Sequence, residues 1–168
     1  MSNRLNRRNV VVAAGAVVVA GAAALFGGRG SEAKAEVFEV NLTPEQWRRR
    51  LTPEQYRVLR QQGTERSGSS ALNAEHRPGT FHCAGCDLPV YRSQDKFESG
   101  TGWPSFIRPI RGAVRTRPDN TIFMTRTEVH CRRCGGHLGH VFDDGPPPTG
   151  QRWCMNGSAL RFEPPNRA

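Results

Sequence analysis

The chain carries no block of like charges threaded with aromatic residues, although its formal charge is +9 over 168 residues. Arg4, Arg7, Arg8, Arg29 and Lys34 stand against Glu32 alone in residues 1–35, and from Glu36 onward 19 basic residues face 14 acidic ones. Apart from Arg48-Arg49-Arg50 and the pairs Arg7-Arg8, Arg132-Arg133 and Asp143-Asp144, no like charges are adjacent. A nucleic-acid groove alternates basic residues with stacking platforms, so no nucleic-acid partner is expected and the surplus reads as a solvated face. Long apolar runs are scarce as well: from Thr80 onward the apolar pattern is short and alternating, and Gly (18) and Pro (12) are abundant. That predicts many turns, short strands, little helix and a mainly β domain. Such a length supplies one modest core, which a disulfide or a metal often staples.

The one long uncharged run, Val10 to Phe26, follows Arg7-Arg8 and precedes a polar stretch ending Ala33-Lys34-Ala35. A charged region, an apolar region and a small-x-small site make a secretory signal, and paired arginines before the run resemble a twin-arginine export address. The usual Ser or Thr before the pair is missing. Residues 1–35 are therefore expected to be an export signal to the periplasm of a bacterium. At about 17 residues the run also meets the lower limit for a membrane span, which makes an uncleaved anchor the alternative. Export in the folded state would let a metal site fill before its thiols meet an oxidising compartment.

A lead-in and first short helix are expected over residues 36–50. Thr43-Pro44-Glu45-Gln46 and Thr52-Pro53-Glu54-Gln55 repeat one signal, an N-cap Thr, a Pro at the first helical position and a Gln completing a capping box. Two short helices follow from it, the second stopping at Gly63, and both are expected to pack at the domain edge without chemistry. Gly63 to Gly79 reads as a loop. Phe81–Cys83, Val90-Tyr91, Ala113–Arg117, Thr121–Arg126, Val129–Cys131, Val141-Phe142 and Leu160–Phe162 are the candidate strands. Pro118-Asp119-Asn120 is the expected hairpin turn between the third and fourth.

Cys83-Ala-Gly-Cys86 and Cys131-Arg-Arg-Cys134 are two CxxC knuckles. Two tight turns of this kind give a tetrahedral four-thiolate cage, the arrangement of structural zinc, with no open position for catalysis. Gly85 and Gly135-Gly136 fit the tight turns. A thioredoxin-type redox pair lacks its βαβ surroundings here, and a zinc ribbon places about 15–20 residues between knuckles, where this chain has 44. Two disulfides, or iron in the same cage, remain alternatives.

Cys154 is left over. An inert buried thiol is the usual fate of a lone cysteine, but Arg152 and Asn156 flank it at two residues either side and share its face on a strand. A guanidinium favours the nucleophilic thiolate, and Asn can donate to an oxyanion. His137 and His140, beside the second knuckle, can move protons near neutral pH. Spacing alone leaves a cysteine hydrolase or a second metal site open.

Gly100-Thr101-Gly102-Trp103-Pro104-Ser105-Phe106, Cys134-Gly135-Gly136-His137-Leu138-Gly139-His140-Val141-Phe142 and Arg152-Trp153-Cys154-Met155-Asn156 resemble the signature blocks of B-type methionine sulfoxide reductases. Leu51–Tyr56 and Gly63-Thr64-Glu65 are similar to the family's N-terminal portion, so the likeness spans a domain of residues 51–164. It implies two antiparallel β-sheets with short peripheral N-terminal helices and a structural zinc site (Cys83, Cys86, Cys131, Cys134). It also implies reduction of methionine-R-sulfoxide in peptides and proteins by a monomer, with Cys154 attacking sulfur and becoming sulfenic acid. On this likeness Trp103, helped by Phe106, walls the substrate methyl; His137, His140 and Asn156 handle the sulfoxide oxygen; Arg152 tunes the thiolate. Many members carry cysteine where this chain has Thr101. Without that resolving thiol, recycling is expected to need an external thiol reductant. Trp153 and Gly157 depart from the more usual Tyr and Ser, and Ser67-Gly68 from a common Pro-Phe pair. The competing reading is a zinc-stabilised binding module without turnover.

Overall fold

A computed structural model describes residues 36–122 and 124–165. The arginine pair, the apolar run and the expected cleavage site lie outside the described residues, among which no helix is long and apolar enough to cross a membrane.

Both capping boxes form. Thr43 and Thr52 accept from the backbone N–H of Gln46 and Gln55, whose side chains accept in return from the Thr backbone N–H groups at 2.8 and 3.0 Å. They open helix α1 (Pro44–Arg50) and helix α2 (Pro53–Gln61). The second helix ends on Gln62, which takes the left-handed conformation (φ 56°) one residue before the expected stop at Gly63. Gly63 serves by its lack of a side chain instead, because a Cβ there would stand 2.9 Å from the Arg57 carbonyl oxygen.

Nine strands follow: β1 (Thr80–Cys83), β2 (Pro89–Arg92), β3 (Lys96–Phe97), β4 (Ser105–Phe106), β5 (Val114–Ile122), β6 (Met124–Cys131), β7 (His137–Phe142), β8 (Arg152–Met155) and β9 (Leu160–Glu163). They make two antiparallel sheets, ordered β2-β1-β9 and β3-β4-β8-β7-β6-β5. The expected turn at Pro118-Asp119-Asn120 is not one. Strand β5 runs through it, with Pro118 opposite Thr127 and Asp119 opposite Arg126, and the reversal falls between the paired Ile122 and Met124. As the last strand of its sheet, β5 can hold a proline whose missing N–H faces no neighbour. An aromatic set joins the sheets at the core: Phe106 of β4 stacks on Tyr91 of β2 (centroids 4.3 Å apart) and meets Phe81 of β1 edge-on at 5.0 Å.

Candidate active site and metal centre

The four knuckle cysteines converge. Cys83 closes β1 and Cys131 closes β6; Cys86 and Cys134 follow in tight turns whose next residues, Asp87 and Gly135, are both left-handed (φ 64° and 67°). The first knuckle turns over Ala84–Gly85–Cys86, as expected, and closes with the Asp87 N–H donating to the Cys83 carbonyl at 2.8 Å, the left-handed step falling on Asp87 and not on Gly85. A Cβ at Gly85 would lie 3.5 and 3.6 Å from the sulfurs of Cys134 and Cys83, in ordinary contact with the cage. All four sulfurs are buried and lie within 4.8 Å of one another, Cys83 to Cys134 at 3.7 Å and Cys86 to Cys131 at 3.5 Å. A tetrahedron with metal–sulfur bonds of about 2.3 Å has edges of about 3.8 Å, so the cage has the size for one ion. A disulfide needs sulfurs about 2.05 Å apart.

The helices cover this centre, contrary to the expectation of an idle edge. Trp47 of α1, 2 % exposed, reaches Gly85; Leu59 of α2 packs on Gly136; and Arg60 donates to the Cys134 carbonyl at 2.9 Å. The lead-in joins them. Phe38 lies over Gly135, where any side chain would collide with its ring, and Val40 donates its N–H to the Arg133 carbonyl.

Further along β7, a cavity of about 130 Å³ is lined by Thr64, Trp103, Arg126, Gly139, His140, Phe142, Cys154, Met155 and Asn156. That is roughly four water volumes, room for the head of one small side chain. Strand pairing brings its reactive groups together, since His140 stands directly opposite Cys154 across β7 and β8. Gly139 lets the strands close, because a Cβ there would fall 2.1 Å from the Cys154 carbonyl oxygen.

Cys154 is partly buried. Burial lifts its thiol above the ordinary cysteine value, while Arg152 and hydrogen bonds from Thr101 and Ser105 pull the other way without cancelling it. The expectation that Arg152 favours the thiolate holds in direction, but burial outweighs it. Arg152 is also engaged elsewhere. It donates twice to Asp144, at 2.8 Å each, and lies over the Phe142 ring at 4.4 Å.

Each histidine is held by a carboxylate that the sequence did not single out. His140 Nε2 meets Asp119 Oδ2 at 2.7 Å, and His137 Nδ1 meets Glu128 Oε1 at 2.8 Å. The two rings stand 5.3 Å apart. His140 lines the cavity; His137 lies behind it, 2 % exposed, with its Nε2 buried and unpartnered. Burial lowers the His140 pKa, aided by Arg126 and His137 and opposed by Asp119. Around neutrality both Cys154 and His140 therefore tend toward their uncharged forms.

Trp103 forms one wall, its indole N–H donating to the Glu65 carbonyl at 3.2 Å. Asn156 also lines the cavity, but its side chain is occupied by backbone: Oδ1 accepts from Glu65 N–H at 2.9 Å and Nδ2 donates to the Leu138 carbonyl. It frames the site more than it reaches into it. Phe106 does not reach it at all. Ser105 faces Cys154 across the β4–β8 pair, so strand alternation sends its neighbour to the opposite face, where Phe106 is wholly buried in the aromatic core. The second aromatic wall is Phe142, two residues after His140 on one strand face, a spacing from which it could have been found.

Glu65 is the hub behind this arrangement. Buried at 4 % exposure, its carboxylate accepts from the N–H groups of Gly157 and Ser158 at 2.6 and 2.8 Å, while its own peptide groups hold Asn156 and Trp103. Arg126, hydrogen-bonded to Asp119 at 2.7 Å, also lines the cavity and was not among the expected site residues.

Comparison with known proteins agrees with this geometry. The SelR domain family matches residues 51–164. The peptide methionine sulfoxide reductase MsrB of Leptospira interrogans is 50% identical over 127 residues, covering 75% of this chain and 97% of its own. That of Thiobacillus denitrificans is 54% identical over 123 residues, 73% of this chain and 93% of its own. That of Pseudomonas putida is 52% identical over 128 residues, covering 75% and 96%. Both sheets, the four-cysteine cage and the matched length lead to one conclusion: this chain belongs to the SelR-domain family of peptide methionine sulfoxide reductases, oxidoreductases that act on sulfur.

Proposed function

We propose that the enzyme reduces the R epimer of methionine sulfoxide in peptides and proteins through a one-cysteine cycle. The convergence of Cys154, His140 and the Trp103 and Phe142 rings on one small cavity carries the reading. Aromatic walls suit an apolar S-methyl group, and the imidazole suits the single polar oxygen. The Cys154 sulfur attacks the sulfoxide sulfur; the oxygen passes to Cys154 as sulfenic acid and the thioether leaves, so that thiol plus sulfoxide gives sulfenic acid plus methionine residue. The thiol's proton is retained overall, and His140, which lines the cavity, relays it to the sulfoxide oxygen as negative charge develops there. Thr101 cannot form a disulfide, and the other four thiols belong to the cage. An external thiol therefore condenses with the sulfenic acid to release water, and a second thiol, from the reductant, frees Cys154. The physiological role is protein repair under oxidative stress.

The cage fits zinc in size and donor chemistry. Cys83, Cys86, Cys131 and Cys134 would hold it, and with all four positions taken by sulfur its contribution is structural. Arg7-Arg8, the Val10–Phe26 run and Ala33-Lys34-Ala35 support twin-arginine export of the folded enzyme to the periplasm; Arg7→Lys with Arg8→Lys should retain precursor in the cytoplasm on cell fractionation.

The deciding assay offers both epimers of a methionine sulfoxide peptide with dithiothreitol. Turnover of the R epimer alone, abolished in Cys154→Ser, is expected. Inertness toward both epimers would instead favour a binding module.

A further inference from the structure

Behind Cys154 lies a set of hydroxyls that the cycle above does not use. Ser105, wholly buried, faces Cys154 across the β4–β8 pair. Ser99 Oγ stands 2.8 Å from Thr101 Oγ1 and 2.8 Å from Ser105 Oγ, and Ser105 Oγ lies 3.1 Å from the Trp103 carbonyl oxygen. Both the Thr101 and the Ser105 hydroxyl favour the ionised form of the Cys154 sulfur.

We infer that Ser99, Thr101 and Ser105 form a rotatable hydroxyl relay that solvates the anionic sulfur of Cys154, and that they are positioning residues for the nucleophile. Three hydroxyls supply three protons, and the two oxygen–oxygen contacts use two of them. The third must leave the set, toward either the Trp103 carbonyl or the sulfur. When the sulfur is a neutral thiol, the chain runs Thr101 to Ser99 to Ser105 to the carbonyl, and the thiol can donate to Thr101. When the sulfur is ionised, the chain reverses and Thr101 donates to it. A hydrogen bond to an ionised group is stronger than one to a neutral group, so the reversal favours the thiolate.

The other charged or titratable groups about this sulfur are few. Arg152 is shared with Asp144; Tyr91 of β2 is buried and neutral, its hydroxyl donating to Met155 Sδ. His140 of β7 and Arg126 of β6 line the cavity, and His137 stands behind His140. With burial opposing ionisation and Arg152 partly neutralised, the hydroxyls fall to the task.

The inference rests on Cys154 being the nucleophile. It is tested by alkylation, which needs no sulfoxide turnover, so its failure and that of the reductase reading are distinguishable. The full chain and its variants are alkylated with iodoacetamide across pH, and labelling is read by mass spectrometry on the peptide carrying Cys154. Thr101→Val, Ser105→Ala and Ser99→Ala should each move the midpoint up by about half a unit, roughly threefold slower labelling at neutral pH. Thr101→Ser should keep it. Ser99→Ala is the discriminating variant, because Ser99 acts only through its two neighbours. A midpoint left at the wild-type value there, in a chain with unchanged circular dichroism, overturns the relay. Should that variant not fold, the near-isosteric Thr101→Val decides alone, and an unmoved midpoint overturns the proposal equally.

Discussion

Glu128 shows how a buried charge is tolerated beside a catalytic cavity. Burial works to raise its pKa, yet the His137 hydrogen bond and the Arg117 guanidinium together bring the carboxyl down to about 2. A carboxyl depressed in the folded state stabilises the fold above its unfolded value, near 4.5, and loses that contribution as pH falls toward 2. On the order of 3 kcal/mol is at stake, as an upper bound. Urea unfolding between pH 5 and 2.5 should therefore show a steeper loss of stability in the wild type than in Glu128→Gln; parallel curves would refute the assignment. The two phenylalanines separate in a different way. Phe142→Ala removes a cavity wall and should raise KM roughly tenfold with a small change in stability. Phe106→Ala empties a core position and should cost about 3–5 kcal/mol of stability, with KM nearly unchanged in the folded fraction. The opposite assignment of the two effects would restore Phe106 to the substrate site.

At the scale of elements, the lead-in does more than connect. Glu36 pairs with Arg115 and meets His130 Nε2 at 3.0 Å, Glu39 pairs with Arg132, and Phe38 stands edge-on to the His130 ring. His130 is 1 % exposed and its Nδ1 is already without a partner. A chain beginning at Leu42 would leave both ring nitrogens unsatisfied beside the second knuckle, at a cost of about 2–4 kcal/mol. Its thermal transition should fall by about 10 °C, and an unchanged transition would reduce the lead-in to a spacer. What the sequence reveals at this scale depends on distance along the chain. The capping boxes and CxxC turns are local, closed within four residues, and both form where the residues predict them. The helices' covering of the cage was illegible, because Trp47 meets Gly85 and Arg60 meets Cys134 across long separations. The carboxylates escaped for the same reason: Glu65 binds at Gly157, and Asp119 meets His140. Pro118 misled because a turn-forming triplet is also acceptable on a sheet edge. Phe106 lies in the core, away from the cavity lining, because its face follows from the pairing of Ser105 with Cys154, which no local pattern discloses.

Across the whole molecule, the cage ties one sheet to the other. Its ligands come from the end of β1 in the three-stranded sheet and the end of β6 in the six-stranded one, with 44 residues between the knuckles. A metal held there would close a loop of that size and restrict the unfolded chain by about 4 kcal/mol, and its bonds to the thiolates would add to that because the site does not exist in the unfolded state. The catalytic strands hang on the same clamp, since His137 and His140 follow the second knuckle directly and β8 is registered on β7. Stripping the metal with a chelator under reducing conditions should therefore lower the thermal transition by about 10–20 °C. Turnover should fail together with the tertiary signal of the buried aromatic residues, because the cavity's geometry is inherited from the clamp. Cys83→Ala should reproduce both effects without a chelator. A calorimetric transition that stays in place after metal removal would mean that the sheets are held by their shared aromatic core, with the cage a passenger on the fold.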